Sequence, residues 1–497
     1  MTSAAVLALA GCDNSPISFG QADDQAQGGG ADSPAAQQFR SALAEAPKHG
    51  LTTDIFFKGD LASAGEGKLR EAVMSLASAL AMGKSDPTKL REVYTVARPK
   101  VDVKAGFDQA IAENRVAEWL GSLAPQTDEY RKLSQAFTHY VGLAAKTPDT
   151  NIAPGEPIKR GSTDARVPAV VAALEAGGYM AAQPQQQGQT QAPQAGADAA
   201  TTGNEYTAEM AEAVKRMQQD FGLKDDGVLG TDTLKAVNTS ARDRARQLAV
   251  ALERLRWLER EAPATRIDVN TAAAVLNYWR EGQMLDERRV VVGQPDWETP
   301  QLGSPIFQLV ANPTWTVPQS IEEDELADKS PAYFRANNMV RKNGKIVQQP
   351  GPTNSLGQVK FDMKNGEAIY LHDTPAKALF AQNQRHRSHG CVRVHNAVQF
   401  AQMLAEEDGV LDKFKEAMET GDETSVDLKS DIPVRLVYHT AYLGSDGKIH
   451  FADDATAGTM MSLRRSAINA ARCSGSSRKP PISARKRRAN QAEQTRP

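Results

Sequence analysis

The period of the apolar residues changes once along this 497-residue chain, past Ala262, from helical to alternating, and that change limits what can fold on either side. Before it, apolar positions recur every three or four residues, as in Leu69, Val73, Leu76 and Leu80, and again in Ile111, Val116, Trp119, Leu120 and Leu123. Helices with such a stripe bury it against one another, so a helical scaffold domain is expected over 39–156. After it, Ile267, Val269, Val275, Leu276, Tyr278 and Trp279 lead to a Glu281-Gly282 turn and then to Val290-Val291-Val292-Gly293, which reads as strands. Val359, Phe361 and Met363 alternate, Asn365-Gly366 predicts a tight turn with positive φ, and Ile369 and Leu371 return. A further hairpin is expected where Val434, Leu436 and Tyr438 alternate and Asp446-Gly447 precedes Ile449 and Phe451. A β domain over 262–453 follows, with a polar, proline-bounded lid at about 315–352 that is too long for a simple connection. One core rarely serves a chain of this length, so the fold class is multidomain α+β.

Between the two lies a second helical unit, 157–240, interrupted by a Gln-, Ala- and Gly-rich insert at 181–202. Thr207 is placed to cap a helix with Glu209 in its first turn and Met210, Val214, Met217 and Phe221 on one stripe. A turn at Asp225-Asp226-Gly227 and a new helix from Thr231-Asp232, with Leu234 and Val237 inward, complete it. Residues 1–38 read as an unstructured tether and 454–497 as an unstructured basic tail, because neither carries enough periodic apolar surface to offset ordering. The formal net charge of -3 gives no global field for nucleic acid. No run approaches eighteen consecutive apolar residues.

Cys12, Cys391 and Cys473 stand in contexts too different for a disulfide framework. Around Cys391 the chain reads Ser388-His389-Gly390-Cys391-Val392-Arg393, and 19 positions before it Tyr370-Leu371-His372-Asp373-Thr374-Pro375. A thiol nucleophile needs an imidazole to take its proton or to hold it as thiolate, and His372 is the candidate. Gly390 lets backbone N–H groups approach an oxyanion, and Arg393 offers a fork for a carboxylate. Asn396 is placed to cap a following helix, whose dipole would favour the thiolate modestly. The bland readings are an inert buried thiol and a structural histidine. A zinc site over His372, His386, His389, Cys391 and His395 is disfavoured by its spacing, and no metal is expected.

The phrases SHGCVRV and YLHDTP resemble the catalytic signature of the L,D-transpeptidases, and NPTWTVP with PGPTNSLGQVKFDMKNGEAIYLHDTP resembles the large YcbB-like branch. The phrase VKRMQQDFGLKDDGVLGTDTLKAVN resembles the three-helix peptidoglycan-binding domain. The resemblance implies a helical scaffold, a three-helix peptidoglycan-binding module and a mostly β catalytic domain with an inserted capping subdomain. It implies Cys391 as nucleophile and His372 as base, oriented by a group near Asp373 through a backbone carbonyl. Gly390 and His389 would serve the oxyanion or orient the loop, and Ser388, Arg393, Tyr370 and Trp315 would meet substrate. The implied reaction takes an acyl group from a tetrapeptide stem, releases D-alanine and makes a 3-3 crosslink without a cofactor. Implied partners are peptidoglycan stem peptides and glycan, carbapenem inhibitors and accessory envelope proteins. The implied location is the cell envelope, on the periplasmic side. Ala4 to Cys12 is similar to the end of a lipoprotein signal, with Cys12 the residue to be lipidated as a membrane tether. An L,D-carboxypeptidase-type hydrolase and a non-catalytic peptidoglycan-binding lipoprotein are the alternatives.

Overall fold

The computed structural model describes residues 33–147, 149–181 and 203–458. Cys12 and Cys473, most of the expected tether and basic tail, and all but the first residue of the insert lie outside them. Two of those boundaries move inward. A helix starts at Pro34, with the Ser33 hydroxyl accepting from the Ala36 amide and Ala36 and Phe39 fully buried, so the ordered chain begins before residue 38. At the other end, Asp454 accepts from the Tyr438 hydroxyl at 2.9 Å and the Gly458 carbonyl accepts from Arg254 at 3.0 Å, so the chain is held past 454.

The helical part is built on two 17-residue helices, Glu66–Met82 and Asp128–Ala144. Leu69, Val73, Leu76 and Leu80 face inward on the first, as their spacing predicts. The second stripe is divided, because Ile111 and Val116 fall on separate short helices, Phe107–Ala112 and Val116–Leu123. A third long helix, Ala241–Trp257, closes this core with Leu248, Leu252 and Leu255, although Arg242, Arg244, Arg246, Arg254 and Arg256 make its sequence read as a solvated face.

The unit between them has helices at Val167–Ala176, Ala208–Asp220 and Thr231–Val237 around a common core of Val170, Leu174, Val214, Met217, Leu234 and Val237. Thr207 caps the middle helix, its hydroxyl accepting from the Met210 amide. The turn at Gly227 (φ 70°) is held by Gln218, whose side chain is buried and whose oxygen accepts from the Gly227 amide at 2.8 Å.

The β domain runs β1 Arg266–Asn270, β2 Val275–Arg280, β3 Gln283–Gly293, β4 Ile306–Ala311, β5 Trp315–Thr316, β6 Met339–Lys342, β7 Lys345–Gln348, β8 Val359–Met363, β9 Leu371–His372, β10 His386–Ser388, β11 Val392–Val394, β12 Thr424–Ile432, β13 Val434–Val437, β14 Ala441–Leu443 and β15 Ile449–Phe451. Among the described residues the main sheet has ten strands in the order β12-β4-β8-β9-β11-β3-β2-β1-β13, with β10 paired to β3. Helix Ala397–Glu407 seals one face, where Phe400 and Leu404 meet Phe361, Leu371, Val392 and Val394.

Of three local turns, one follows expectation and two change. Glu281 and Gly282 do take positive φ (51° and 81°) between β2 and β3, the twist a two-residue hairpin requires. Asn365-Gly366 does not: the positive φ falls on Ala368 (52°), and the wider loop is held by Asn365, whose side chain accepts from the Glu367 and Ile369 amides at 3.1 Å. The Asp446-Gly447 turn joins β14 to β15, whereas β13 runs parallel to β1, so Val434 to Tyr438 are not part of that hairpin.

The inserted segment is a small subdomain. β5, β7 and β6 form their own sheet over a core of Val317, Ile321, Leu326 and Ile346. Its neck is pinched by the fully buried Asn354, whose amide donates to the carbonyls of Pro313 at 2.9 Å and Gln349 at 3.0 Å.

Candidate active site

Strands β9 and β11 lie side by side and parallel, with Leu371 opposite Val392 and His372 opposite Arg393. Parallel partners project to the same face and alternate along each strand. Leu371, Val392 and Val394 therefore enter the core, while Tyr370 and His372 share the opposite face with Cys391 and Arg393. The Val392 amide donates to the Tyr370 carbonyl at 3.2 Å, fixing Cys391 beside Tyr370 and diagonally adjacent to His372. The Tyr370 and His372 rings are 5.7 Å apart. The candidate thiol and imidazole thus project from one side of the sheet.

Their electrostatics favour a neutral pair. Burial pushes the Cys391 thiol up, and hydrogen bonding from Tyr370 with the nearby charges of Arg393 and Lys360 offsets only part of that. Burial and the Arg393 cation hold His372 down at about 3, against the opposing pull of the Asp373 and Leu356 carbonyls. Its Nδ1 is buried and makes no hydrogen bond among the described residues. A resting thiol beside a neutral imidazole follows, rather than a stored thiolate. Two sequence expectations fall with it. Asn396 does begin the helix, but in the left-handed region (φ 50°) with no side-chain cap. Strand β11 also separates Cys391 from that helix, and macrodipole effects fade within a turn, so the helix contributes little to the thiol.

The loop before Cys391 is tied from below. Gly390 has φ 117°, which excludes most side chains, and its carbonyl accepts from Thr299 at 2.7 Å. The same Thr299 oxygen accepts from the Gly293 amide at 2.9 Å. Ser388 is nearly fully buried, donates to the Cys391 carbonyl at 2.6 Å and accepts from the Gly390 amide at 3.2 Å, so its hydroxyl shapes the loop and is not free for substrate as expected. The His389 ring lies 5.1 Å from Trp297 and its Nε2 2.8 Å from Glu325 of the inserted subdomain. Asp373 is buried, accepts from the Gln358 amide at 3.1 Å and pairs with Lys377, which anchors the end of β9. Trp315, at the root of the subdomain, acts on Tyr370. Arg393 Nε is buried with no hydrogen bond among the described residues, and Glu325 is among the charges acting on the guanidinium.

The histidines gathered in the sequence disperse in space. His386 bonds Gln384 and the Thr271 carbonyl, and the His395 ring lies tilted against Phe380 at 5.1 Å. Among the described residues no three His, Cys, Asp or Glu side chains are grouped to hold a metal ion.

Thr299, Trp297, Glu325 and Lys360 escaped the sequence reading. Lys360 had a signal: if Val359, Phe361 and Met363 face the core, Lys360 and Asp362 must face the other way, which is the face of His372. Gly293 also matters. A Cβ there would lie 2.1 Å from the Trp297 carbonyl and 2.4 Å from the Thr299 amide, so Gly293→Ala must displace the Thr299 tie. The expected outcome is about a 100-fold slower alkylation of Cys391, the scale of a misplacement near 1 Å, followed by peptide mass analysis. Unchanged reactivity would mean the tie does not position the loop.

Residues 264–421 match the YkuD family, described as the L,D-transpeptidase catalytic domain. The chain carries an L,D-transpeptidase catalytic domain. Residues 27–137 match a scaffold domain, and residues 166–237 match a "Putative peptidoglycan binding domain". Over 211 residues the chain is 32% identical to a "Putative L,D-transpeptidase" of Haemophilus influenzae, covering 38% of this chain and 43% of that protein. It spans less than half the length of that curated relative. Among solved structures, an L,D-transpeptidase from Mycobacterium smegmatis is 14% identical, covering 36% of this chain and 61% of that one at a TM-score of 0.21. One from Stackebrandtia nassauensis is 14% identical over 58% of this chain and 96% of that one, at a TM-score of 0.22. Neither superposition adds to the assignment of the L,D-transpeptidase domain.

Proposed function

We propose that this protein crosslinks peptidoglycan in the cell envelope by cysteine acyl transfer, with Cys391 as nucleophile and His372 as its base. The single observation that supports this reading most is the parallel register of β9 and β11, which brings both side chains to one face beneath the inserted subdomain. His372, neutral at rest, takes the thiol proton as Sγ bonds the carbonyl carbon at the L-centre of the third residue of a donor tetrapeptide. The C=O electron pair moves to oxygen, where backbone N–H groups around Gly390 and Cys391 receive it. Collapse breaks the C–N bond, the imidazolium returns its proton to the leaving D-alanine nitrogen, and a thioester remains. An amine from a second stem then attacks the thioester carbon, His372 takes its proton, the C–S bond breaks, and the imidazolium returns the proton to sulfur to regenerate the thiol. One amide is spent and one is made, so no cofactor or nucleotide is consumed.

The rest of the chain fits this division of labour. The three-helix unit over 157–240 would hold glycan, the helical scaffold over 39–156 would set its distance from the catalytic domain over 262–453, and Arg393 would receive a substrate carboxylate. Tyr370 and Trp315 would line the cleft. A lipidated Cys12 would tether the protein to a membrane, and accessory envelope proteins would present the acceptor.

The test is product analysis. Purified protein incubated with tetrapeptide muropeptides is expected to give 3-3 dimers, and a carbapenem is expected to add one covalent mass at Cys391, both abolished in Cys391→Ala. Tripeptide without dimers would show a hydrolase instead. Sacculus binding with neither product nor adduct would show a wall-binding protein without this activity.

A further inference from the structure

Lys360 projects from β8 into the same face as the candidate pair. It lies directly opposite His372 in the β8–β9 ladder, its ammonium is 5.5 Å from the centre of the Tyr370 ring, and Asp362 two residues on fixes it at 2.9 Å. Both side chains are largely shielded, 18% and 24% exposed, so the charges are only partly screened. A cation here is costly to shield unless it interacts with something, and Asp362 satisfies one of its three donors. Its further neighbours include the Tyr370 ring and His372, and its charge reaches Cys391.

We propose that Lys360 is a positioning residue for charge, holding the thiolate that develops on Cys391 while keeping the proton off His372 until the thiol releases it. This inference rests on the cysteine reading above. The groups that face this pocket are Asp362 on β8, Gln308 on β4 with Asp427 of β12 bonded to it at 2.6 Å, Tyr370 just before β9 and His372 on it, Cys391 just before β11 and Arg393 on it, and Glu325 with His389 at the inserted subdomain. Arg393 supplies the second cation. Lys360 differs from it in having a carboxylate partner at 2.9 Å, so Asp362 tempers the charge that Lys360 adds to that of Arg393 at Cys391. The effect of Lys360 has the same direction on both groups: it favours the ionised thiol and disfavours the protonated ring. A cation within several ångströms in a partly shielded site shifts such equilibria by about one pH unit or less.

The test reads the thiol directly and needs no substrate. The rate at which iodoacetamide alkylates Cys391 in the full chain is measured against pH by peptide mass analysis, which separates it from Cys12 and Cys473. Lys360→Met is expected to move the midpoint up by about 0.5 to 1 unit, Lys360→Arg to restore most of it, and Asp362→Asn to move it down. The opposite sign in Asp362→Asn keeps the test sound even if Lys360→Met folds poorly. An unmoved midpoint in folded Lys360→Met, an Arg variant as displaced as the Met variant, or an upward shift in Asp362→Asn would each overturn the proposal. The midpoint is read independently of catalysis: if muropeptide crosslinking proves independent of Cys391 while the midpoint shifts as expected, the function reading fails and this inference stands.

Discussion

His372→Ala should slow acylation of Cys391 by a carbapenem about 100- to 10,000-fold at neutral pH, the usual range for loss of a positioned general base. The size follows from the resting state of the pair. If Cys391 were already a thiolate held by an imidazolium, removing the ring would chiefly raise the thiol pKa. Here burial pushes the thiol up and holds His372 down at about 3, so the ring is unprotonated and the thiol protonated at rest. Each acylation therefore needs a proton acceptor at the moment of attack. The wild-type rate should be nearly flat from about pH 5 to 8, because neither group titrates strongly there. Without the ring, only the small thiolate fraction reacts, and the rate should climb tenfold per pH unit until the thiol ionises. Single-turnover acylation followed by intact mass gives both numbers. A His372→Ala rate within tenfold of wild type, or one that stays flat with pH, would remove His372 from the role of base.

The thiol and the imidazole were legible in the sequence because chemistry of this kind needs few residue types and places them in short phrases. Their juxtaposition was not, since a separation of 19 positions permits many loops and only the β9–β11 ladder selects one. Strand periodicity located the core-facing residues of β1, β2 and β8, because one face of each must be buried. It failed at the turn after β8, where the Asn365 side chain bonds local backbone and moves the positive φ to Ala368. Ser388 was misread because a hydroxyl beside a nucleophile looks available, while in the fold both its donor and an acceptor position are spent on the loop. The helix Ala241–Trp257 was missed for a different reason. Its arginines imply solvent, yet three of them are buried by partners that lie far away in the chain, and sequence carries no signal of those partners.

That helix carries the second large expectation: Glu253→Ala should destabilise the helical part by about 3 to 5 kcal/mol, measured by urea unfolding. Arg256 is fully buried and donates to the Glu253 carboxylate at 2.7 Å, to the Tyr130 hydroxyl at 2.9 Å and to the His49 carbonyl at 2.8 Å. Glu253 also accepts from the Ser85 amide at 2.8 Å, the Ser85 hydroxyl at 2.7 Å and the Trp257 indole at 3.2 Å. Burial alone would raise the carboxyl; Arg256 and these donors more than offset it and keep Glu253 ionised. Truncating it strands a guanidinium in the core and orphans the Ser85 and Trp257 donors together. Removing both charges at once, as Glu253→Leu with Arg256→Met, should cost far less, because no unpaired ion is left behind. The site should be affected less than the scaffold. The sheet that carries Cys391 and His372 has its own core, whereas Leu248, Leu252 and Leu255 of this helix belong to the other. Contact between the two includes Arg254, which donates to the Tyr438 carbonyl just after β13 and to Gly458, Glu129, which accepts from the Leu443 amide at 3.2 Å, and Thr95, whose amide donates to the Gln301 carbonyl at 3.2 Å. Glu253→Ala should therefore lower the denaturation midpoint sharply while carbapenem acylation of the still-folded protein stays within about tenfold of wild type. Equal losses in both would mean that the helical scaffold and the catalytic sheet unfold as one cooperative unit.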